Sequence, residues 1–219
     1  MKPQVKVSLI LAAVFVLVVG GLLLLTGRDD AEPGSDAAGG ATDSRLVRDD
    51  SRLLGERGSS DIVLVEFLDF ECEACGAAYP LVEELREEYG DRVTFVARYF
   101  PLPGHFNGER AARAVESAAR QDRFLEMYQK MYDTQAEWGE QQVPLDDLFR
   151  GFAAELGLDL ARYDADYASD DVAARVQRDV TDGVSLGVRG TPTFFLDGEL
   201  LRPTSAADFE QALVDALAE

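Results

Sequence analysis

The chain has 219 residues, 41 of them acidic against 21 basic, and a formal net charge of −20 at pH 7. So acidic a body excludes nucleic-acid binding through phosphates and is repelled by anionic membrane surfaces. The length suits one domain of about 170 residues with a sizeable core, once an N-terminal segment is set aside. Lysine occurs only at Lys2, Lys6 and Lys130 against 18 arginines, the usage of a GC-rich bacterial genome.

Residues 7–25 form an uncharged run interrupted only by Ser8, Gly20 and Gly21. As a helix rising about 1.5 Å per residue, the run spans about 28 Å, close to the ~30 Å hydrocarbon core of a bilayer. A cleaved signal peptide is the rival. Its apolar region is usually about 7–15 residues and ends in a small-x-small site. Neither that site nor a lipid-accepting cysteine follows here. The reading is an uncleaved single-pass anchor over residues 1–27, with Lys2 and Lys6 keeping the N-terminus cytoplasmic. Residues 28–44 are rich in Gly, Ala, Ser and Asp and read as a disordered linker. A flexible coil of that length reaches about 23 Å. The body, residues 45–219, then lies outside the cytoplasm, where disulfides form and persist.

Leu46, Val47, Leu53 and Leu54 sit between charges and predict a short edge strand. Residues 62–68 are an apolar run that predicts a buried strand. Cys72-Glu73-Ala74-Cys75 comes next and holds the only two cysteines. Residues 77–89 predict a helix, with Pro80 inside it and expected to kink it. Cys72 would fall at the helix start, where unpaired N–H groups and the helix dipole favour an anion. Its thiol pKa should fall, making it the attacking sulfur. Cys75, one turn on, would be shielded and act as the resolving one. Two other uses of the pair compete. A zinc site wants four ligands, and two cysteines with His105 leave it short. A structural disulfide closing so short a loop removes little chain entropy.

Residues 92–100 alternate through Val93, Phe95, Ala97 and Tyr99 and predict the next strand, stopped by Pro101-Leu102-Pro103-Gly104. From about 106 to 186 the pattern is helical. Ala111, Ala114, Val115 and Ala118 make a narrow small-residue face. Phe124, Met127, Tyr128, Met131 and Tyr132 keep helical spacing, as core or as a peptide-binding face. Pro144 suits a first helical position, with Asp146 and Asp147 in the first turn. Gly157 is expected to end that helix and Asp159 to cap the next; Ser169 or Asp170 caps a further one. Residues 193–196 return to strand, Asp197-Gly198 signals a two-residue hairpin, and Ser205 with Asp208 opens a last helix.

This layout resembles the DsbA-like thiol-disulfide oxidoreductases of the thioredoxin superfamily. The likeness runs from about 46 to 218. It rests on Val65-Glu66-Phe67-Leu68-Asp69-Phe70-Glu71-Cys72-Glu73-Ala74-Cys75, on Pro80, and on Phe100-Pro101-Leu102 with His105 after it. It rests further on Gly187-Val188-Arg189-Gly190-Thr191-Pro192-Thr193-Phe194-Phe195. The resemblance implies an α/β thioredoxin fold with an all-helical insertion at about 106–186, here preceded by one N-terminal transmembrane helix. It implies that Pro192 is cis and lies beside the cysteines. Thr191, with Gly190 before it, would then offer its backbone to an extended cysteine-bearing peptide. A buried acid is frequent at the position of Glu66; desolvation would raise its pKa and let it relay a proton to or from Cys75. His105 matches a position often histidine and is read as capping or packing.

The implied activity is disulfide formation in exported proteins that carry cysteine thiols, by a monomer needing no metal or cofactor. A quinone-linked membrane protein would reoxidise the pair. One departure bears on this: strongly oxidising relatives commonly carry Pro-His where this chain has Glu73-Ala74. Glu73, with Glu71, should disfavour the Cys72 thiolate and weaken oxidising power. That keeps open a reductase or isomerase of the same fold, for example one serving cytochrome c maturation, although an isomerase usually needs a dimerisation segment and none is visible. A non-catalytic binding module is the alternative from another class.

Overall fold

The computed structural model describes residues 43–218. The expected anchor at 1–27, and all but the last two residues of the expected linker at 28–44, lie outside the described residues. Among the described residues no helix is long and apolar enough to cross a membrane.

Among the described residues five strands form one sheet: β1 (Arg52–Leu53), β2 (Val63–Leu68), β3 (Thr94–Tyr99), β4 (Thr193–Leu196) and β5 (Glu199–Leu201), in the order β1-β3-β2-β4-β5. β2 and β3 run parallel and are joined through α1 (Glu73–Tyr89); every other pairing is antiparallel. Between β3 and β4 the chain makes six helices: α2 (Gly108–Ala119), α3 (Phe124–Asp133), α4 (Gln135–Trp138), α5 (Asp146–Glu155), α6 (Leu160–Tyr167) and α7 (Asp170–Ser185). α8 (Ala206–Ala216) follows the terminal hairpin. A βαβ unit and a ββα unit are thus separated by a helical insertion.

The side-chain period of two divides β2 between two cores. Leu64 and Leu68 face α1 and the insertion, joining Phe70, Cys75, Val82, Tyr99, Tyr128 and Tyr132. Val65 and Phe67 face the other way, with Leu46, Val96, Phe100, Val188 and Phe195. Both faces of β2 are covered, so its sequence is an apolar run rather than an alternation. Glu66, midway between Leu64 and Leu68, therefore shares the face of the cysteines. On the opposite face α7 comes close: a Cβ on Gly183 would lie 2.8 Å from the Phe100 ring and 3.0 Å from that of Phe67. The Phe124, Met127, Tyr128, Met131 and Tyr132 stripe is buried core, not an open peptide-binding face.

Most local signals are realised. Asp197 and Gly198 adopt φ of 46° and 90°, the turn that matches strand twist. Asp159, Ser169 and Ser205 cap their helices by accepting from the N–H groups of Arg162, Val172 and Asp208. Ser169 rather than Asp170 is the cap. Pro144 departs from expectation, because α5 begins at Asp146 with Leu145 as its N-cap. Asn107 supplies the reason. Its side-chain amide donates to the carbonyls of Gln141 at 2.8 Å and Val143 at 3.1 Å, and its oxygen accepts the Leu145 N–H at 3.2 Å. This clamp holds 141–145 as a strap outside the helix.

Candidate active site

The strand-to-helix turn that presents Cys72 is shaped by Asp69. One Asp69 oxygen accepts the Glu71 N–H at 2.9 Å, and the Asp69 carbonyl accepts the Cys72 N–H at 3.1 Å. Cys72 is thereby the N-cap of α1, extended at φ −73° and ψ 120°. Its sulfur meets the helix end that carries unpaired N–H groups. Gln135, at the start of α4, braces this turn from outside by donating to the carbonyls of Phe70 at 2.7 Å and Cys72 at 2.9 Å. Gly76 permits that approach, since a Cβ there would fall 1.9 Å from the Gln135 amide oxygen.

The Thr191–Pro192 bond is cis. The Cys72 sulfur lies 3.3 Å from the Thr191 carbonyl oxygen, so two segments 119 residues apart meet there. Gly190 lies one residue back, its carbonyl taken by the Thr193 hydroxyl at 2.7 Å.

Both cysteines are buried and unbridged, yet their affinities for a proton diverge. The neighbouring Cys75 thiol, donating to the Cys72 thiolate, does most to pull the Cys72 pKa down to about 5. Burial opposes this; the N–H groups of Cys75 and Ala74 add to it. Cys75 is raised, by burial first and then by its hydrogen bond to Cys72 and the charge of Glu66. Burial likewise pushes Glu66 up to about 8, helped by the charges of Cys72 and Glu83. One Glu66 oxygen has no hydrogen-bond partner among the described residues.

The sequence sets Glu71 and Glu73 against the thiolate; the structure turns one inward to another partner and the other out to solvent. Glu71 is turned inward and accepts the Asn107 N–H at 2.5 Å. Glu73 is exposed to water, with the carboxylate of Glu140 beside it. The groups that govern Cys72 are the nearer donors. His105 packs as expected: its Nδ1 lies 2.6 Å from an Asp69 oxygen that also accepts the Leu102 N–H at 2.8 Å. Burial works against protonating His105, but Asp69 and then Cys72 and Glu71 raise its pKa overall. Asp69 and Gln135 are the positioning residues that sequence reasoning missed. Gln135 carries no local signal; Asp69 sits in the motif but looks like an ordinary turn residue. Among the described residues no three His, Cys, Asp or Glu side chains converge as metal ligands.

A family model described as Thioredoxin matches residues 48–215. The chain belongs to the thioredoxin family. Its fold is that of DsbA-like members. A thioredoxin-like oxidoreductase from Silicibacter pomeroyi DSS-3 superposes with a TM-score of 0.68 at 24% identity, covering 82% of this chain and 99% of that one. Oxidised BdbD from Bacillus subtilis does so with a TM-score of 0.68 at 17% identity, covering 84% and 100%. A curated relative named Na(+)/H(+) antiporter NhaA, from Herminiimonas arsenicoxydans, is 38% identical over 162 residues, 73% of this chain and 25% of that protein. The chain spans about a quarter of the length of the curated relatives it matches. A thioredoxin fold with Cys72 and Cys75 at this spacing is consistent with thiol-disulfide exchange.

Proposed function

We propose that the protein is an extracytoplasmic thiol-disulfide oxidoreductase that introduces disulfides into exported proteins. The observation that carries this is the placement of the pair: Cys72 caps α1 beside the cis Thr191–Pro192 bond while Cys75 is fully buried, which lowers the Cys72 pKa and raises that of Cys75. An oxidant is a pair whose reduced form is stabilised, and a stable Cys72 thiolate does that.

In the oxidised protein a substrate thiolate attacks the Cys72 sulfur. The Cys72–Cys75 bond breaks and its electron pair leaves on Cys75. Glu66, which holds a proton below about pH 8, supplies one to that sulfur. A mixed disulfide joins substrate to Cys72. The substrate's second thiolate then attacks the substrate sulfur of that bond, and Cys72 departs as a thiolate. The substrate loses two electrons and the pair gains them, with no metal or cofactor required. Thr191, preceded by Gly190 and followed by Pro192, aligns the extended substrate through its backbone.

On this reading residues 1–27 anchor the chain and 28–44 act as linker. Residues 45–219 are the catalytic domain, monomeric and outside the cytoplasm, with its insertion at about 106–186. A quinone-linked membrane protein takes up the electrons. No ion transport is proposed for this chain, since the matched stretch is about a quarter of the relatives that bear the antiporter name. The test is trapping in cells. Cys75→Ser should accumulate mixed disulfides with exported proteins on non-reducing gels, and Cys72→Ser none. Absence of adducts on Cys75→Ser would refute the reading.

A further inference from the structure

We propose that the groove beside Pro192 receives an acidic side chain of the substrate peptide and binds it through Arg189 and Arg202. This names the substrate class for the thiol-disulfide reading above and rests on it.

The groove has a volume of about 690 Å³ and is lined by Arg189, Thr191, Pro192, Leu200 and Arg202, among others. It begins at the same Thr191 whose carbonyl lies 3.3 Å from the Cys72 sulfur. A peptide whose cysteine reaches Cys72 along Thr191 therefore enters it. β5, at one edge of the sheet, forms part of its wall and offers free backbone groups for strand addition. Leu200 is 44% exposed and gives the groove an apolar side.

The charges single this groove out. The described residues contain 18 lysines and arginines, and 15 of them form ion pairs. Among the described residues only Arg57, Arg189 and Arg202 do not. In a chain with 41 acids against 21 bases, a guanidinium without a carboxylate is uncommon, and two of the three line one groove. Both are exposed. A guanidinium fork matches a carboxylate bidentately and is weakly hydrated, which suits it to a docking role. Glu73 opens α1 with Glu140 beside it, whereas the residues lining the groove include two arginines and no acid. Arg189 is two residues from Thr191, about 7 Å of extended chain. The occupant is thus an extended segment of an exported protein with Asp or Glu a few residues from its reactive cysteine.

The experiment uses the oxidised full-length protein and reduced two-cysteine peptides that differ in one side chain, Glu, Gln or Lys, placed a few residues to either side of the reactive cysteine. On one side of the cysteine, kcat/KM should favour Glu over Lys by about fivefold at low salt. The ratio should approach one near 1 M salt, where the screening length is about 3 Å. Arg189→Gln with Arg202→Gln should erase the ratio, and the two Arg→Glu changes together should invert it. Arg57→Gln, outside the groove, should keep it. Each ratio is taken within one variant, so a partly unfolded preparation does not distort it. Equal rates for Glu and Lys peptides with the unaltered chain would overturn the groove and leave the redox reading standing. No oxidation of any peptide would overturn both.

Discussion

On one face of the sheet Arg98 is fully buried with its donors engaged; on the other Glu66 is buried with an oxygen unpaired. Arg98 Nε donates to Asp179 at 2.7 Å, Nη2 to Asp182 at 2.6 Å, and Nη1 to the carbonyls of Arg45 and Leu46, both at 2.6 Å. Arg175 reaches Asp179 and Arg48 reaches Asp182, each at 2.5 Å. The two buried charges are nearly adjacent, since Glu66 sits opposite Ala97 in the ladder. What separates them is satisfaction rather than burial. The satisfied charge ties α7 and the start of the domain to the sheet. The unsatisfied one is free to titrate, and it does so beside the cysteines.

The largest expected effect comes from breaking the satisfied side. Arg98→Ala leaves Asp179 and Asp182 buried without their central partner and should cost about 3–5 kcal/mol in denaturant unfolding. The folded fraction should titrate Cys72 as before. A cost under about 1 kcal/mol would mean the network is not structural.

Glu66→Gln tests the other side and should act on rate. Loss of the proton donor to Cys75 should slow exchange by about 10²-fold in single-turnover kinetics. Stability should move the opposite way to that of Arg98→Ala. The Glu66 pKa is raised from 4.5 to about 8 in the fold, so the native chain loses stability as pH rises across that window. Glu66→Gln removes this slope: it should match the native chain near pH 4 and exceed it above pH 8. A stability curve parallel to the native one would place Glu66 among the structural charges.

Smaller effects sharpen the site's frame. Gly76→Ala drives a Cβ against Gln135, displaces its amide from the Phe70 and Cys72 carbonyls, and should cost about 1–3 kcal/mol. Faster hydrogen exchange at the start of α1 would report the displacement. Smallest is His105→Gln, which removes a positive charge near the sulfur and should shift the Cys72 titration upward. An unchanged titration would confine His105 to packing against Asp69.

The sequence made the local half of this site legible. Cys72 at a strand-to-helix junction, Glu66 six residues before it, the Thr191-Pro192 step, the Asp197-Gly198 hairpin and the Ser205 cap are each readable from a few neighbouring residues. Contacts between distant segments were not. Gln135 braces a turn 63 residues away, Asn107 holds the strap that keeps Pro144 out of α5, and Asp179 and Asp182 complete Arg98 from more than 80 residues on. Nothing in their own surroundings marks such residues. The low Cys72 pKa was not legible either, because charge order along the chain says nothing of which donor ends up nearest the sulfur.

The central claim is that Cys72 is a thiolate at neutral pH. Thiolate ultraviolet absorbance of the reduced full-length protein, followed against pH, tests it directly. The account predicts one transition near pH 5 that is absent from Cys72→Ser. A transition near the ordinary thiol value of 9.0, with none near 5, would contradict it.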